Sequence, residues 1–385
     1  MTYEQRVRER ADALIARGHA RILALETSCD ETAAAVGEDG RHVLSAVVAS
    51  QIDRHALYGG VVPEIASRMH AEALPQVAAR ALAEAGLSPI PHSPFPSAEG
   101  RPAGGAAAPA LDAVAVTAGP GLVGALLTGV SWAKSYAWAL GLPLIGVNHI
   151  EGHVSANYLA HPELQPPFVC LIASGGHSHI VRVDRYGSCA LLGRTTDDAA
   201  GEAFDKVARV LGLPYPGGPL LDALAEQGDD RAYRFPSART EGPYDVSFSG
   251  PKTHVINLLH NLRQQGEPVN AADFAASFRR AVVDALVTKS VRAAADSGAR
   301  ALALAGGVAS NRLLRRELQR AGEAAGLTVF MPPVRLCTDN AEMIGSAAFY
   351  RLMAGELAPL SLNALPSLAF GCGRMPGNGI AQPDR

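Results

Sequence analysis

Apolar and polar residues alternate along this chain with two periods, and the pattern repeats itself once. RILALETS (21–28) is built on the apolar run ILAL, and AAAVGED (33–39) and HVLSAVVAS (42–50) follow across turn residues, predicting a meander of three short strands. PEIASRMHAEALPQVAARALAEAGL (63–87) carries apolar residues at helical spacing and stops near a glycine. Strand AVAVTAG (113–119), helix VGALLTGVSWAKSYAWAL (123–140) and strand LIGVNH (144–149) complete a β-β-β-α-β-α-β series.

A similar order begins again at Phe168. FVCLIASGG and HSHIVRVD predict a strand pair, CALLGRTT a third strand, and AGEAFDKVARVLGL a helix leading into the turn PYPGGP. Residues 225–270 have no clear period and are expected to hold helical or loop insertions. Helix 271–296, strand ALALAGG, helix NRLLRRELQRAGEAAG, strand TVFMPP and helix NAEMIGSAAFYRLMAG close the chain. Two halves of like order predict two α/β domains facing one another across a cleft. The divisions are a charged extension at 1–20, a first domain at 21–150, a second at 151–362 and a loose tail at 363–385. Residues 88–110, rich in Pro, Gly and Ala, read as an insertion without a fixed fold.

Composition narrows the function. At 385 residues, with 48% hydrophobic and 18% charged residues, the chain has apolar surface for more than one core. The net charge of −3 supplies no general attraction for nucleic acid, so such a partner needs a local basic patch or a second protein. One basic cluster stands out, Arg312, Arg315, Arg316 and Arg320. Five cysteines without a C-x-x-C pair argue against a disulfide framework and a thiolate zinc site, and fit a reducing cytosol. The charged N-terminal segment does not read as a signal peptide, and no uncharged run reaches membrane-spanning length, so a cytoplasmic location is expected.

Two patterns carry chemistry. In NHIEGH, His149 and His153 stand four residues apart where a strand gives way to a helix, which puts both imidazoles on one face. That arrangement suits a divalent metal or a merely polar helix end. A zinc peptidase would place its general-base glutamate directly after the first histidine; here Ile150 holds that place and Glu151 follows. Glycine-rich turns are the second pattern: TAGPGLVG, IASGGHSHI, YPGGPLLD and LAGGVASN. Such turns let backbone amides approach an anion, and four of them favour a nucleotide or acyl-phosphate site between domains. The chain has neither a P-loop nor a dinucleotide fingerprint at its first strand.

Nine blocks occur in order: ETSCDET, GGVVPEIASRMH, TAGPGLVGALL, HIEGH, SGGHSH, DDAAGEAFDKVARVLGLPYPGGP, DVSFSGPKT, LAGGVASNRLLR and LCTDNAEMIG. Together they resemble the TsaD family, the tRNA N6-adenosine threonylcarbamoyltransferases, formerly called O-sialoglycoprotein endopeptidases. The resemblance runs from about Ile22 to about Gly355. The chain departs from the family pattern in its N-terminal extension, in the 88–110 insertion, and in Pro251, where S-F-S-G-L-K-T usually has leucine beside Lys252.

This resemblance implies two duplicated actin-like (ribonuclease H-like) α/β domains around a nucleotide and metal cleft. It implies a divalent metal, Fe2+ favoured with Zn2+ as the alternative, held by His149, His153 and Asp339. Asp339 is far along the chain from the histidines, so it is expected to meet them only when two domains close on one cleft. It implies an acyl-adenylate site at Ile172, Ala173, Ser174, Gly175, Gly176, Asp205, Gly218, Asp222 and Asn311, the aspartates accepting hydrogen bonds from sugar or threonyl hydroxyls. The implied reaction transfers threonylcarbamoyl from threonylcarbamoyl-AMP to N6 of the adenosine beside the anticodon, in tRNAs reading codons that start with A. Implied partners are tRNA, a paralogous dimerising subunit (TsaB-like), an ATPase (TsaE-like) and an adenylate-forming enzyme (TsaC-like), with no membrane. The rival readings are a metalloendopeptidase, an ATP-dependent sugar or acetate kinase, and a chaperone-like ATPase; the last two leave HIEGH without a purpose.

Overall fold

The computed structural model describes residues 2–87, 111–235 and 240–370. The insertion 88–110 and the tail beyond 370 lie outside the described residues. In chain order the elements are α1 (Tyr3–Arg17), β1 (Arg21–Glu26), β2 (Glu31–Glu38), β3 (His42–Ser50), α2 (Ile52–Ala56), α3 (Pro63–Glu84), β4 (Ala113–Gly119), α4 (Val123–Leu140), β5 (Leu144–Asn148) and α5 (His149–Ala160). The second run is β6 (Phe168–Ala173), β7 (Ser178–Arg185), β8 (Ser188–Arg194), α6 (Ala200–Val210), α7 (Gly217–Ala225), α8 (Ser249–Gln265), α9 (Ala271–Asp296), β9 (Ala301–Ala305), α10 (Arg312–Ala324), β10 (Thr328–Phe330) and α11 (Ala341–Met353).

These elements form two five-stranded mixed sheets of one topology, β3-β2-β1-β4-β5 and β8-β7-β6-β9-β10. Each begins with an antiparallel meander and adds two parallel strands beside its first strand. The duplication legible in the sequence is thus a duplication of sheet order. The central strands are apolar along their whole length because both faces are covered. In the first sheet, Leu23, Leu25, Val114 and Val116 pack under α3 and α4, while α11 lies along β1, β2 and β5. In the second, Val169, Leu171, Leu302 and Leu304 face α6, α9 and α10.

The chain divides into two units, but not where sequence order places the break. Residues up to Gln51, Val62–Ser155 and the segment from Asp339 form the first unit; Ile52–Val61 and Ala156–Thr338 form the second. The last helix, which sequence order assigns to a second domain at 151–362, belongs instead with the first sheet. Its burial explains this: Ala341, Met343, Ile344, Ala347, Ala348 and Leu352 are all at most 2% exposed.

Three other segments are ordered for local reasons; the helices in the extension and in 225–270 agree with the sequence, and the fixed start of the tail does not. The N-terminal extension is an ordered helix, capped by Thr2 and anchored by the Tyr3 hydroxyl donating to the Leu142 carbonyl at 2.8 Å. The start of the expected loose tail is also fixed, since the Leu365 amide donates to the Ala118 carbonyl at 2.8 Å and Leu365 and Leu368 pack on the first core. Within the unreadable 225–270 section, α8 buries Val255 and Leu259 at a four-residue interval. Pro251 occupies its first turn, where a missing amide proton leaves no helical bond unmade.

Candidate active site

The HIEGH block forms the start of α5. Asn148 ends β5 and its side-chain oxygen accepts from the Ile150 amide at 2.9 Å, fixing the turn from strand to helix. His149 and His153 then lie on one face, with ring centroids 4.7 Å apart. A Cβ on Gly152 would come within 2.7 Å of the Ile344 side chain, so the glycine lets α11 approach α5 closely. Asn340 caps α11 by accepting from the Met343 amide at 2.8 Å, and this places Asp339 just ahead of the helix. Its Oδ1 is 3.4 Å from Nε2 of His149 and 3.4 Å from Nε2 of His153. Asp339 therefore reaches both histidines inside one unit, not across two as its distance along the chain suggests.

The triad fits a metal ion. Its three ligand atoms lie within 4.8 Å of one another. Tetrahedral ligands at about 2.0–2.2 Å from zinc stand roughly 3.3–3.5 Å apart, close to the two carboxylate–imidazole distances here. His153 is fully buried, and neither of its ring nitrogens has a hydrogen-bond partner. Such an orphaned ring is costly unless a ligand completes it. Local charge points the same way. Burial alone would lower His149, yet the flanking Asp339 and Glu26 carboxylates hold it well above its usual range. Burial would raise Asp339, but His149 and His153 keep it far below the usual carboxylate range. Burial wins at His153, which is lowered. The pocket thus favours one positive charge, whether a proton or a cation.

Glu26 is a site residue that sequence reasoning missed. It ends β1, is 0% exposed, and its Oε2 lies 3.0 Å from Nδ1 of His149 and 2.7 Å from the Thr117 hydroxyl on β4. Burial pushes Glu26 up, but the His149 ring and the Thr117 hydroxyl outweigh it and hold the carboxyl below its usual range. A lone acid closing the apolar run ILAL of β1 was the available signal. Ser28 lies beside it, its amide donating to Glu26 Oε1 and its hydroxyl 3.2 Å from His149 Nδ1.

Glu151 faces away from the triad. Arg351 of α11 donates to its Oε2 from Nε at 2.8 Å and from Nη2 at 2.6 Å, and bonds Glu356 at 2.6 Å through Nη1. Its carboxylate is committed to that buried pair, which removes the general base a peptidase reading requires.

The glycine turns divide into filled and open ones. In TAGPG a Cβ on Gly119 would sit 2.0 Å from the Leu365 carbonyl oxygen, and one on Gly121 2.6 Å from that of Ser28. These two glycines accommodate the chain itself. At Gly175, Gly176 and Gly307 nothing lies within 4 Å of where a Cβ would stand, so the ends of β6 and β9 keep open backbone. Ile172 and Ala173 are fully buried strand residues, paired to His179 and Ser178. Ser174 is nearly buried and its hydroxyl accepts from the His177 amide at 3.2 Å.

The remaining expected ligand residues are engaged within the second unit. Asp205 Oδ1 accepts from the amides of Gly217 and Gly218, each at 2.9 Å, and so caps α7. Asp222 accepts from the buried Arg279 at 2.8 Å, and the Arg312 amide lies 3.4 Å from its other oxygen. Asn311 caps α10 by accepting from the Leu314 amide at 2.9 Å. Lys252 pairs with Asp198, which also holds Lys206 at 3.0 Å. In the arginine cluster, Arg315 is tied to the Ala309 and Pro332 carbonyls, while Arg312, Arg316 and Arg320 form an exposed row.

Comparison with solved structures defines the class first. HypF from T. kodakarensis matches with a TM-score of 0.56 at 16% identity, over 87% of this chain and 48% of that one. Full-length HypF in its phosphate- and nucleotide-bound form gives 0.54 at 15%, over 87% and 46%. With the repeated sheet order, these place the fold among duplicated actin-like α/β proteins. The sequence comparisons are finer. The family described as tRNA N6-adenosine threonylcarbamoyltransferase matches residues 42–91 and 104–346. The enzyme of that name from Moorella thermoacetica is 56% identical over 90% of this chain and 96% of its own length, and that from Clostridium novyi 51% over 91% and 98%. The chain belongs to the tRNA N6-adenosine threonylcarbamoyltransferase family.

Proposed function

We propose that this chain transfers the threonylcarbamoyl group from threonylcarbamoyl-AMP to N6 of the adenosine next to the anticodon, in tRNAs reading codons that start with A. The reading is carried by the family match along nearly the whole chain, together with the triad of His149, His153 and Asp339 in ligand geometry. The reaction is an acyl transfer. N6 attacks the carbonyl of the mixed anhydride and loses its proton, and AMP departs with the electron pair of the broken C–O bond. Because AMP leaves readily, the protein needs no covalent nucleophile; it must align the reactants and stabilise charge.

His149, His153 and Asp339 would hold a divalent cation, Fe2+ by family resemblance or Zn2+. Bound there, the cation supplies Lewis-acid charge for the donor. Open amides at Gly175 and Gly176 suit a phosphate group, since nothing of the chain occupies the space a Cβ would fill. Asp205 Oδ1 orients the amides of Gly217 and Gly218, and Asp222 neutralises Arg279, which holds both carboxylates in place beside the donor. The exposed row Arg312, Arg316 and Arg320 would contact tRNA phosphates. No helix among the described residues is long and apolar enough to cross a membrane, and a tRNA substrate favours the cytoplasm. The adenylate donor calls for an enzyme that makes it, and the modest basic surface for partner subunits: a paralogous dimerising chain and an ATPase.

The test incubates purified protein and those partners with unmodified tRNA, threonine, bicarbonate and ATP, followed by nucleoside analysis. Threonylcarbamoyladenosine should form, and His149→Ala, His153→Ala and Asp339→Ala should each lose most bound metal and most transfer while keeping their secondary structure. Full transfer by variants that have lost the metal would refute the role given to the triad.

A further inference from the structure

The carboxylate of Glu26 is hard to explain as packing. It closes a strand whose neighbours Leu23, Ala24 and Leu25 are completely buried, and it is itself 0% exposed. Burying a carboxylate is expensive unless donors compensate it, and an apolar residue of similar volume often serves a core better. Here three donors converge: the Ser28 amide on Oε1, and the Thr117 hydroxyl and His149 Nδ1 on Oε2. Thr117 and the Ser28 amide belong to the strand ends of the sheet, so the carboxylate is held from two sides before it meets the ring. The Leu122 amide donates to the Ser28 carbonyl at 2.8 Å, and Gly121 packs on that same carbonyl, which fixes the Ser28 segment in turn.

A histidine has two nitrogens, and the partner of one decides the state of the other. With Nδ1–H donating to Glu26, Nε2 keeps its lone pair, and Nε2 is the atom 3.4 Å from Asp339. Nδ1 of His153 has no such partner. We propose that Glu26 is a positioning residue that fixes the Nδ1–H tautomer and ring orientation of His149, so that Nε2 is the metal-binding atom and the triad is preset by the β1 and β4 strand ends. This rests on the metal reading of the triad. Carboxylates that hold a ligating imidazole in this way typically change metal affinity by about 10–100-fold when lost.

The experiment titrates metal-stripped full-length protein with Zn2+ against a chromogenic chelator, for wild type, Glu26→Gln and Ser28→Ala. Glu26→Gln should bind zinc about 10–100-fold more weakly with unchanged far-UV circular dichroism, and Ser28→Ala should change affinity far less. In parallel, 15N spectra of the zinc-loaded wild type, labelled at histidine, should show His149 bound through Nε2 and protonated at Nδ1; this readout does not depend on any variant folding. Equal zinc affinity for Glu26→Gln and wild type, or coordination through Nδ1, would overturn the inference alone. A wild type that takes up no zinc would overturn the metal reading, and this inference with it.

Discussion

Replacing Arg351 by alanine gives a prediction whose size follows from the surroundings of Glu151. Arg351 and Glu151 have side chains 7% and 11% exposed, and both hydrogen bonds from the guanidinium fall on a single oxygen, Oε2. The other oxygen, Oε1, has no partner. Burial raises Glu151 above its ordinary carboxyl value of 4.5, and Arg351 only partly offsets this. Without Arg351 the carboxylate would be buried with no counter-charge, a situation that costs about 3–5 kcal/mol. Protonation limits that cost. Neutralising a carboxyl of ordinary pKa takes about 1.4 kcal/mol per pH unit above it, so the charge-dependent part cannot exceed about 3.4 kcal/mol at pH 7, nor about 1.4 kcal/mol at pH 5.5. The penalty in Arg351→Ala should therefore shrink between pH 7 and 5.5 by up to about 2 kcal/mol, less the part that the already raised wild-type carboxyl loses over the same range. Urea unfolding of wild type, Arg351→Ala and Arg351→Ala/Glu151→Gln at both pH values measures this directly. The double variant should recover most of the loss at pH 7 and show no pH-dependent penalty. A destabilisation equal at the two pH values would refute the buried-charge argument. Should Glu151→Gln abolish transfer without altering stability, its assignment to a structural pair would fall.

Two further perturbations probe other parts of the molecule. His179 stands directly opposite Arg194 across β7 and β8, and burial, with Arg194 behind it, pushes its pKa down to about 4; its neutral form is favoured by folding, so that stability is fully present above about pH 6.5 and is lost as pH falls towards 4, and His179→Gln should remove a slope of up to about 1.4 kcal/mol per pH unit from that window, an outcome excluded if the two urea-stability profiles run parallel. Gly121→Ala would drive a Cβ to within 2.6 Å of the Ser28 carbonyl oxygen, at a φ of +156°, and should cost about 1–3 kcal/mol and weaken zinc uptake through Ser28 and Glu26; zinc affinity equal to wild type would separate the turn from the triad.

Strand and helix periods were legible wherever an element is buried on one or two faces throughout. HVLSAVVAS and AVAVTAG coincide with β3 and β4 to the residue. Legibility failed where the cause of order lies far along the chain. The turn PYPGGPLLD hides α7, whose N-terminus is made by Asp205 from a different helix. Residues just after Asn363 show no period because backbone bonds to Ala118 and Gly121 and two leucines hold them. At the candidate site, HIEGH and C-T-D-N announced the three residues that come together. Their meeting place did not follow from spacing, because Asp339 travels with a helix that returns to the first sheet. Glu26 was silent for the opposite reason: its partners Thr117 and His149 are 91 and 123 residues away.

That returning helix bears on how the protein is made. Translation delivers the first sheet's strands and both histidines early, then the whole of Ala156–Thr338, and only afterwards Asp339 and α11. Domains generally fold as units, the N-terminal one first. Here the first unit cannot finish first. Until the last helix emerges, one face of β1 and β2 lacks its cover and the triad lacks its carboxylate, while the later-made unit already has nearly all of its own chain. A nascent chain stalled before Asp339 would own two histidines and no third ligand. On the proposed metal reading, capture of the ion would mark completed synthesis, since only a chain whose returning helix is in place has all three ligands.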